Sequence, residues 1–380
     1  MRGKTSRQPS MWYTIDLEEM VAADHPLRPI KRLVDAELSR MSERFSKAYS
    51  REGRPSVPPE RLLKALLLQA LYSIRSERQL VERIRFDLLF RWFLDMDPEE
   101  VVFDASTFSR NRQRMADFGL QRAFFDGIVA EALGRGLASD EHFTVDGTLI
   151  ESLASIKSVK PIVEIEPREE DDDRVGPPPA SRGRNVAVDF RGERRTNRTH
   201  RSTTDPEARL YSKGQGNRAM PCHSAHLLSE NRNGLIVGVG VAEANGRSER
   251  EQALAMLDRA RQRHWVRPRT VAADRGYDAG EFLQALELRQ VTPHVAMRAG
   301  VIRARNAAGD ARRRMKRRMR TVGYAISQRR RKVIEEAFGW MKDIAGLRKS
   351  RHVGRWKLEQ NVLMAATAYN LIRMSRIAAG

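Results

Sequence analysis

Cysteine is almost missing: Cys222 is the only one in 380 residues. That excludes an intramolecular disulfide framework and any zinc site built on cysteine thiolates. Aromatic residues make up only 7%, and acidic residues are outnumbered, 49 Asp and Glu against 69 Lys and Arg. No apolar run is long enough to cross a bilayer; the longest, "LLKALLLQALYSI" (Leu62–Ile74), is broken by Lys64 and Gln69. The opening "MRGKTSRQPS" lacks the apolar core of a signal peptide, and no internal repeat is visible. These absences predict a soluble, intracellular chain without membrane contact.

What is present is positive charge, a formal +20. Such a surplus predicts a polyanionic partner, because neutralising phosphates releases condensed counterions. The plainer alternative is a merely basic soluble protein. With 41% hydrophobic residues the chain can still bury a sizeable core over two or three domains.

Three zones separate. Residues 1–135 read as an all-α N-terminal, DNA-binding domain. In "SVPPERLLKALLLQALYSI" Ser56 is the expected cap and the prolines occupy the first turn. In "SERQLVERIRFDLLFRWFL" Ser76 and Gln79 stand at capping-box spacing, with Leu80, Ile84 and Leu88 as an apolar stripe. The helix "STFSRNRQRM" follows two others as a recognition helix would, and Arg110, Asn111, Arg112 and Arg114 on it are candidate DNA contacts. The plainer role for it is packing against the rest of the chain.

From about residue 136 strands alternate with helices, which predicts a mixed α/β layer domain over 136–380. "EHFTVDGTLIES" reads as a strand running into a turn at Gly147. Residues 158–216, with "EPREEDDDRVGPPPASRGRN", are rich in Pro and charge and read as a loop-rich insertion. A hairpin is expected around Asn233-Gly234, a helix at "SEREQALAMLDRARQR", and a short strand "RTVAAD" ending in Asp274. Another helix, another strand ("VTPHVAM") and a mostly helical tail follow.

Within this basic background the acids stand out. Asp146 lies in the strand "FTVDGT", where a carboxylate between apolar neighbours is expensive unless paired or bound to metal. Asp274 ends an apolar strand before a glycine loop, the position where α/β sheets place ligand and catalytic groups. Either alone could simply cap the next turn. In the tail, "RKVIEEAFGWMK" holds two adjacent glutamates. On a helix Arg331, Glu335 and Lys342 fall within about 40° of one another, while Glu336 lies about 100° from Glu335 on the other flank of the apolar face. Phase leans towards Glu335, which shares its strip with two cations. An ordinary Arg331–Glu335 helix pair is the plainer reading. Three carboxylates from two strands and a helix can hold two divalent ions for in-line phosphoryl transfer, and oxygen-only ligation favours Mg²⁺ or Mn²⁺.

At this point the residues resemble the DDE transposases of the insertion-sequence family five group, related to family four. The tail "SQRRRKVIEEAFGWMKDIAGLRKSRHVG" is similar to that family's signature: Tyr, two residues, Arg, three residues, Glu, six residues, Lys. Laid on this chain, the Arg is Arg331, the Glu is Glu335 and the Lys is Lys342; Gln328 stands at the tyrosine position, with Tyr324 one turn earlier. "FTVDGTLIES" and "AADRGYD" resemble the two aspartate strands, and "HRSTTDPEARLYSKG", "HLLSENRNGLIVG" and "DASTFSRNRQRM" extend the likeness over nearly the whole chain from Trp12. The resemblance implies an RNase H-like (retroviral-integrase-like) α/β catalytic domain with Asp146, Asp274 and Glu335 as catalytic metal ligands. It implies Mg²⁺ or Mn²⁺ as cofactor, and DNA cleavage at transposon ends with transfer of 3′-OH ends to target DNA. Arg331 and Lys342 are then expected on DNA phosphates. The partners implied are terminal inverted repeats, target DNA and a second copy in the synaptic complex, in the bacterial cytoplasm at the nucleoid.

Other residues carry weaker signals. His223 and His226 have metal-ligand spacing, but on a strand they point to opposite faces, which predicts structural roles. Trp340 is expected in the core, and Tyr277 either in the core or stacked on an extruded base. "MKRRMRTVGYAISQRRRK" is a cationic run suited to DNA backbone or to a solvated face. The competing functions are an RNase H-like nuclease without strand transfer and a non-catalytic, transposase-derived DNA-binding protein.

Overall fold

The computed structural model describes residues 16–50, 52, 56–162, 188–190, 193–212, 218–302 and 304–379. Its first part is helical: α1 (Leu17–Met20), α2 (Leu27–Arg40), α3 (Ser42–Ala48), α4 (Pro59–Leu71), α5 (Glu77–Phe86), α6 (Leu88–Phe93), α7 (Ser106–Asp117) and α8 (Leu120–Gly134). Ser76 caps α5, its hydroxyl accepting from the Gln79 N–H at 3.2 Å. Ser56 does not cap α4. That helix begins at Pro58-Pro59 without a side-chain cap, the prolines supplying a preset φ and no N–H to satisfy. Leu80 and Ile84 are fully buried, as their spacing predicts, while Leu88 is only half-buried.

The second part runs β1 (His142–Glu151), β2 (Val159–Pro161), β3 (Val188–Phe190), β4 (Glu193–Arg195), β5 (His200–Ser202), β6 (Arg209–Tyr211), β7 (Met220–Glu230), β8 (Ile236–Glu243), α9 (Ser248–His264), β9 (Thr270–Ala273), α10 (Gly280–Leu288), β10 (Thr292–Val295), α11 (Ala307–Arg318), α12 (Val322–Arg330), α13 (Val333–Asp343) and α14 (Arg355–Ala379). Six strands form one sheet. Its centre is β1, which pairs antiparallel with β7 and parallel with β9; β10 is parallel to β9. The other edge of β7 carries β8 and, at its first residues, β6, both antiparallel.

Gly147 makes no turn. The strand continues to Glu151, and Gly147 pairs with His226, whose Nδ1 would lie 2.7 Å from a Cβ placed there. Glycine is required here for close approach, not for bending. The β7–β8 hairpin turns over 231–235, where the Glu230 carboxylate accepts from the N–H groups of Arg232, Asn233 and Leu235 at 2.9, 2.6 and 3.1 Å. Within 158–216, described residues form the antiparallel pairs β2–β5 and β3–β4. Asp205, fully buried, anchors this stretch to the sheet through Ser152 Oγ at 2.6 Å and His223 Nε2 at 2.8 Å. The Pro- and acid-rich part of the predicted insertion, 163–187, lies outside the described residues.

Helices α8 and α14 both place residues in the two cores and tie the parts together. Along α14, Val362, Leu363, Ala366 and Tyr369 belong to the core around the sheet, while Met364, Ala368, Leu371 and Met374 belong to the helical core. Buried Asn370 completes the seam, accepting from the Ile236 N–H at 2.8 Å and donating to its carbonyl at 2.7 Å. Replacing Asn370 with Leu leaves both backbone groups of Ile236 without that partner, a loss expected to cost about 2–4 kcal/mol. Urea unfolding of Asn370→Leu checks this: the midpoint should fall, with both parts still melting in one transition.

Candidate active site

Parallel pairing of β1 with β9 sets the site. Thr144 stands opposite Ala272, so two residues on, Asp146 and Asp274 emerge side by side where β9 ends. Asp274 accepts from the Gly276 N–H at 2.7 Å and so does cap the turn that follows, but its neighbour gives it a second role. Burial, aided by the nearby Asp274 and Glu249 carboxylates, pushes the Asp146 carboxyl up to about 6; the Gly147 N–H and Arg331 act against the rise. Two like charges share a poorly solvated place, which favours protonation unless cations attend.

The cations come from the tail. The chain breaks between α12 and α13, with Arg331 at the C-cap of the first and Lys332 at the N-cap of the second. Arg331 Nη1 lies 3.6 Å from Asp146 Oδ2, and its Nη2 lies 3.9 Å from Glu335 Oε1. Lys342 Nζ donates at 2.5 Å to Thr148 Oγ1, two residues along β1 from Asp146 and so on the same strand face. The two glutamates are equally exposed, 60% for Glu335 and 61% for Glu336, so neighbours separate them. Glu335 faces Arg331, whereas Glu336 pairs with Arg373 of α14 at 2.9 Å.

Asp146, Asp274, Arg331, Lys342 and Glu335 are thus brought to one region. Among the described residues, however, no three His, Cys, Asp or Glu side chains converge closely enough to hold a metal ion. Arg331 stands between Asp146 and Glu335 instead.

Other residues border the site, and of these Glu249 carried no clear signal in the sequence. Gln328, at the tyrosine position, donates from Nε2 to the His294 carbonyl at 2.5 Å and weakly to that of Ala273 at 3.4 Å, tying α12 to the strand ends beside Asp274. Tyr324 does not take its place; it lies edge-on to His294 at 6.0 Å. Glu249, in the first turn of α9, borders Asp146 from another element. Only its position after a strand could have flagged it. Tyr277 is 1% exposed, which removes it from base stacking, and its buried hydroxyl has no hydrogen-bond partner among the described residues. Trp340 packs on Tyr369 at 5.8 Å, as expected of a core residue.

The histidines are structural: His223 bonds Asp205, and His226 sits fully buried, its imidazole pushed down to about 4 by burial. On α7 the candidates divide. Arg110 and Arg114 are exposed, the latter 4.8 Å over the Tyr49 ring. Arg112 is half-buried in an ion pair with Glu77. Asn111 is buried, accepting from Tyr49 and donating to the Thr107 carbonyl, so it faces the interior and not a groove. In the cationic run Arg314 and Arg318 are engaged by Glu287, while Arg317, Arg320, Arg329 and Arg330 are exposed.

A carboxyl whose folded pKa is raised stabilises the fold below its unfolded pKa and loses that contribution as pH rises through the folded value. With Asp146 at about 6, Asp146→Asn should stabilise the metal-free protein at about pH 8 by on the order of 2 kcal/mol, the gap closing near pH 4. Unfolding in EDTA across that range measures it. An asparagine variant less stable than wild type at the alkaline end contradicts the burial argument.

Comparisons with known proteins follow the two parts. The family model "Transposase domain (DUF772)" matches residues 15–114, and the model "Transposase DDE domain" matches 193–371. Asp274 and Glu335 fall within the second match; Asp146 precedes it. No curated protein matches the chain. Among solved structures, the Mos1 transposase paired-end complex with left transposon end is 14% identical over 81% of this chain and 86% of its own, at a TM-score of 0.20. A pre-cleavage Mos1 transpososome is 14% identical over 96% of this chain and 98% of its own, at the same 0.20. Scores so low carry no argument about the fold. Among the described residues, no helix is long and apolar enough to cross a membrane. The two matched segments, one to a transposase domain and the next to a transposase DDE domain, together take in most of the chain.

Proposed function

We propose that the chain is a Mg²⁺- or Mn²⁺-dependent transposase of the insertion-sequence family five group that cleaves DNA at transposon ends and joins the freed 3′-OH to target DNA. The observation that carries this is the side-by-side emergence of Asp146 and Asp274 from parallel strands, beside a helix that brings Arg331, Glu335 and Lys342. A central β1, with antiparallel β7 and β8 on one side and parallel β9 and β10 on the other, supports the RNase H-like reading of residues 136–380. Residues 1–135 form the helical DNA-binding part in the same reading, with α14 of the second part packed into its core.

The donor chemistry suits a hard divalent ion, while Arg331 holds Asp146 and Glu335 apart. Every candidate ligand is a carboxylate oxygen, and a buried, unpartnered Tyr277 hydroxyl stands close by. Asp146, Asp274 and Glu335 would hold the ions, whose bound form activates a water or 3′-hydroxyl and stabilises the leaving oxygen. The protein's own part is electrostatic. Arg331 holds counter-charge against Asp146 until a DNA phosphate draws the guanidinium away, and Glu335, exposed and ion-paired with Arg331, is then able to turn towards the aspartates. Lys342, fixed over β1 by Thr148, offers a second phosphate contact. Arg110 and Arg114 of α7 and the exposed arginines of α11 and α12 extend a cationic surface for the DNA backbone. Two ends must be held at once, which calls for a pair of copies.

The adjacent glutamates give the sharpest test. Glu335→Gln should lower Mg²⁺-dependent cleavage of a labelled transposon-end duplex by about 1,000-fold, the several kcal/mol that a metal-held charge supplies. Glu336→Gln, which removes only an exposed pair with Arg373, should cleave like wild type. Equal losses in both, or none in either, would remove Glu335 from the site.

A further inference from the structure

Trp265 is poorly explained by the fold. It caps the C-terminus of α9, its N–H bonded to the Arg261 carbonyl at 3.1 Å, yet it is 78% exposed. Its φ is +57°, the left-handed region that strains a residue with a Cβ and that helix ends commonly fill with glycine. A large indole placed there forgoes both burial and a relaxed backbone. Such a combination points to a partner outside the chain.

The surroundings of the indole are cationic. Arg261, in the last turn of α9, and Arg267, two residues past the cap, are exposed and border one depression with Trp265 and Asp258. Asp258 is engaged by Arg289 at 2.8 Å, whereas Arg261 and Arg267 form no ion pair among the described residues. Beside this depression lies a hollow of about 180 Å³, floored by Leu257, Val266 and Val291 and rimmed by Arg267, Arg269 and Arg289. A strand with unstacked bases needs these features together: an aromatic face for a base and guanidiniums for the phosphates. A duplex hides its base faces and would leave the indole unused. A second copy of the chain, meeting this face through its own, would set like charges together.

The patch is remote from the carboxylates. Glu249 in the first turn of α9 borders Asp146, and Trp265 follows the last turn, so a helix of 17 residues, roughly 25 Å long, separates them. That span corresponds to about seven nucleotides of a B-form strand.

We propose that Trp265, Arg261 and Arg267 form a second DNA-binding surface, which holds an unpaired strand away from the carboxylates. This rests on the reading of the chain as a transposase acting on DNA, but not on its metal site. Cutting one strand of a duplex supplies an end that can unpair and reach the patch.

The test is the fluorescence anisotropy of a short labelled oligothymidylate, and separately of a labelled duplex, with the full chain in EDTA. Trp265→Ala should weaken binding of the single strand by about 10-fold, the loss of one stacked base, and leave duplex binding unchanged. Trp265→Phe, which keeps a stacking face, should recover most of that loss. Arg267→Ala should lower the slope of log affinity against log salt by about one. Trp265→Gly should lose the same binding yet melt no lower than wild type, because glycine is relaxed at this φ; a lower melting point would make the tryptophan a structural cap and overturn the proposal. If the wild-type chain binds the duplex while Trp265→Ala binds the single strand like wild type, the patch is not a DNA surface and the transposase reading stands without it. If Trp265→Ala changes the sedimentation of the chain and not its DNA binding, the face joins copies of the protein and the proposal falls. If the wild-type chain binds neither DNA, the DNA-binding reading itself falls, and this inference with it.

Discussion

Two aspartates held side by side, Asp146 within β1 and Asp274 just past the end of the parallel β9, set the terms for much of this protein. Burial does most of the work of pushing Asp146 up to about 6, and the nearby Asp274 carboxylate adds to it. Such an arrangement persists only if the surrounding structure enforces it and supplies positive charge. The β1–β9 register enforces it. Arg331, held at the joint between α12 and α13, and Lys342, anchored on Thr148, supply the charge.

The rest of the fold holds those parts in place. Gln328 ties α12 to the strand ends just before Asp274, so a side chain that departs from the family's tyrosine still connects helix to site. Glu336 and Arg373 join α13 to α14, and α14 carries apolar residues into both cores. The helical part and the sheet are therefore packed together through α14, and α8 also places residues in both cores.

Much of this was legible in sequence, for identifiable reasons. Asp146 and Asp274 stood out because a charge within or at the end of an apolar strand is a local contradiction, visible without any structure. Ser76 was readable because a cap acts over three residues. Other features needed the third dimension. Gly147 looked like a turn because glycine commonly breaks strands, yet its constraint comes from His226 on the neighbouring strand. Asn111 shared a helix with exposed arginines, but its partner Tyr49 lies 62 residues away in sequence. Glu249 resembled any acid in a first helical turn. Helical phase gave Glu335 only a slight preference over Glu336, and equal exposure would not have improved it; their partners, Arg331 and Arg373, make the distinction.

The central claim is that these carboxylates drive metal-dependent cutting and joining of DNA. It is tested most directly by incubating the protein with a duplex bearing the element's terminal repeat and a supercoiled target plasmid, with Mg²⁺ or with EDTA. End-specific nicking and covalent joining of the duplex to the plasmid are expected in Mg²⁺, both lost on chelation and both lost in Asp274→Asn. Joining that survives EDTA, or that survives the loss of Asp274, would contradict it.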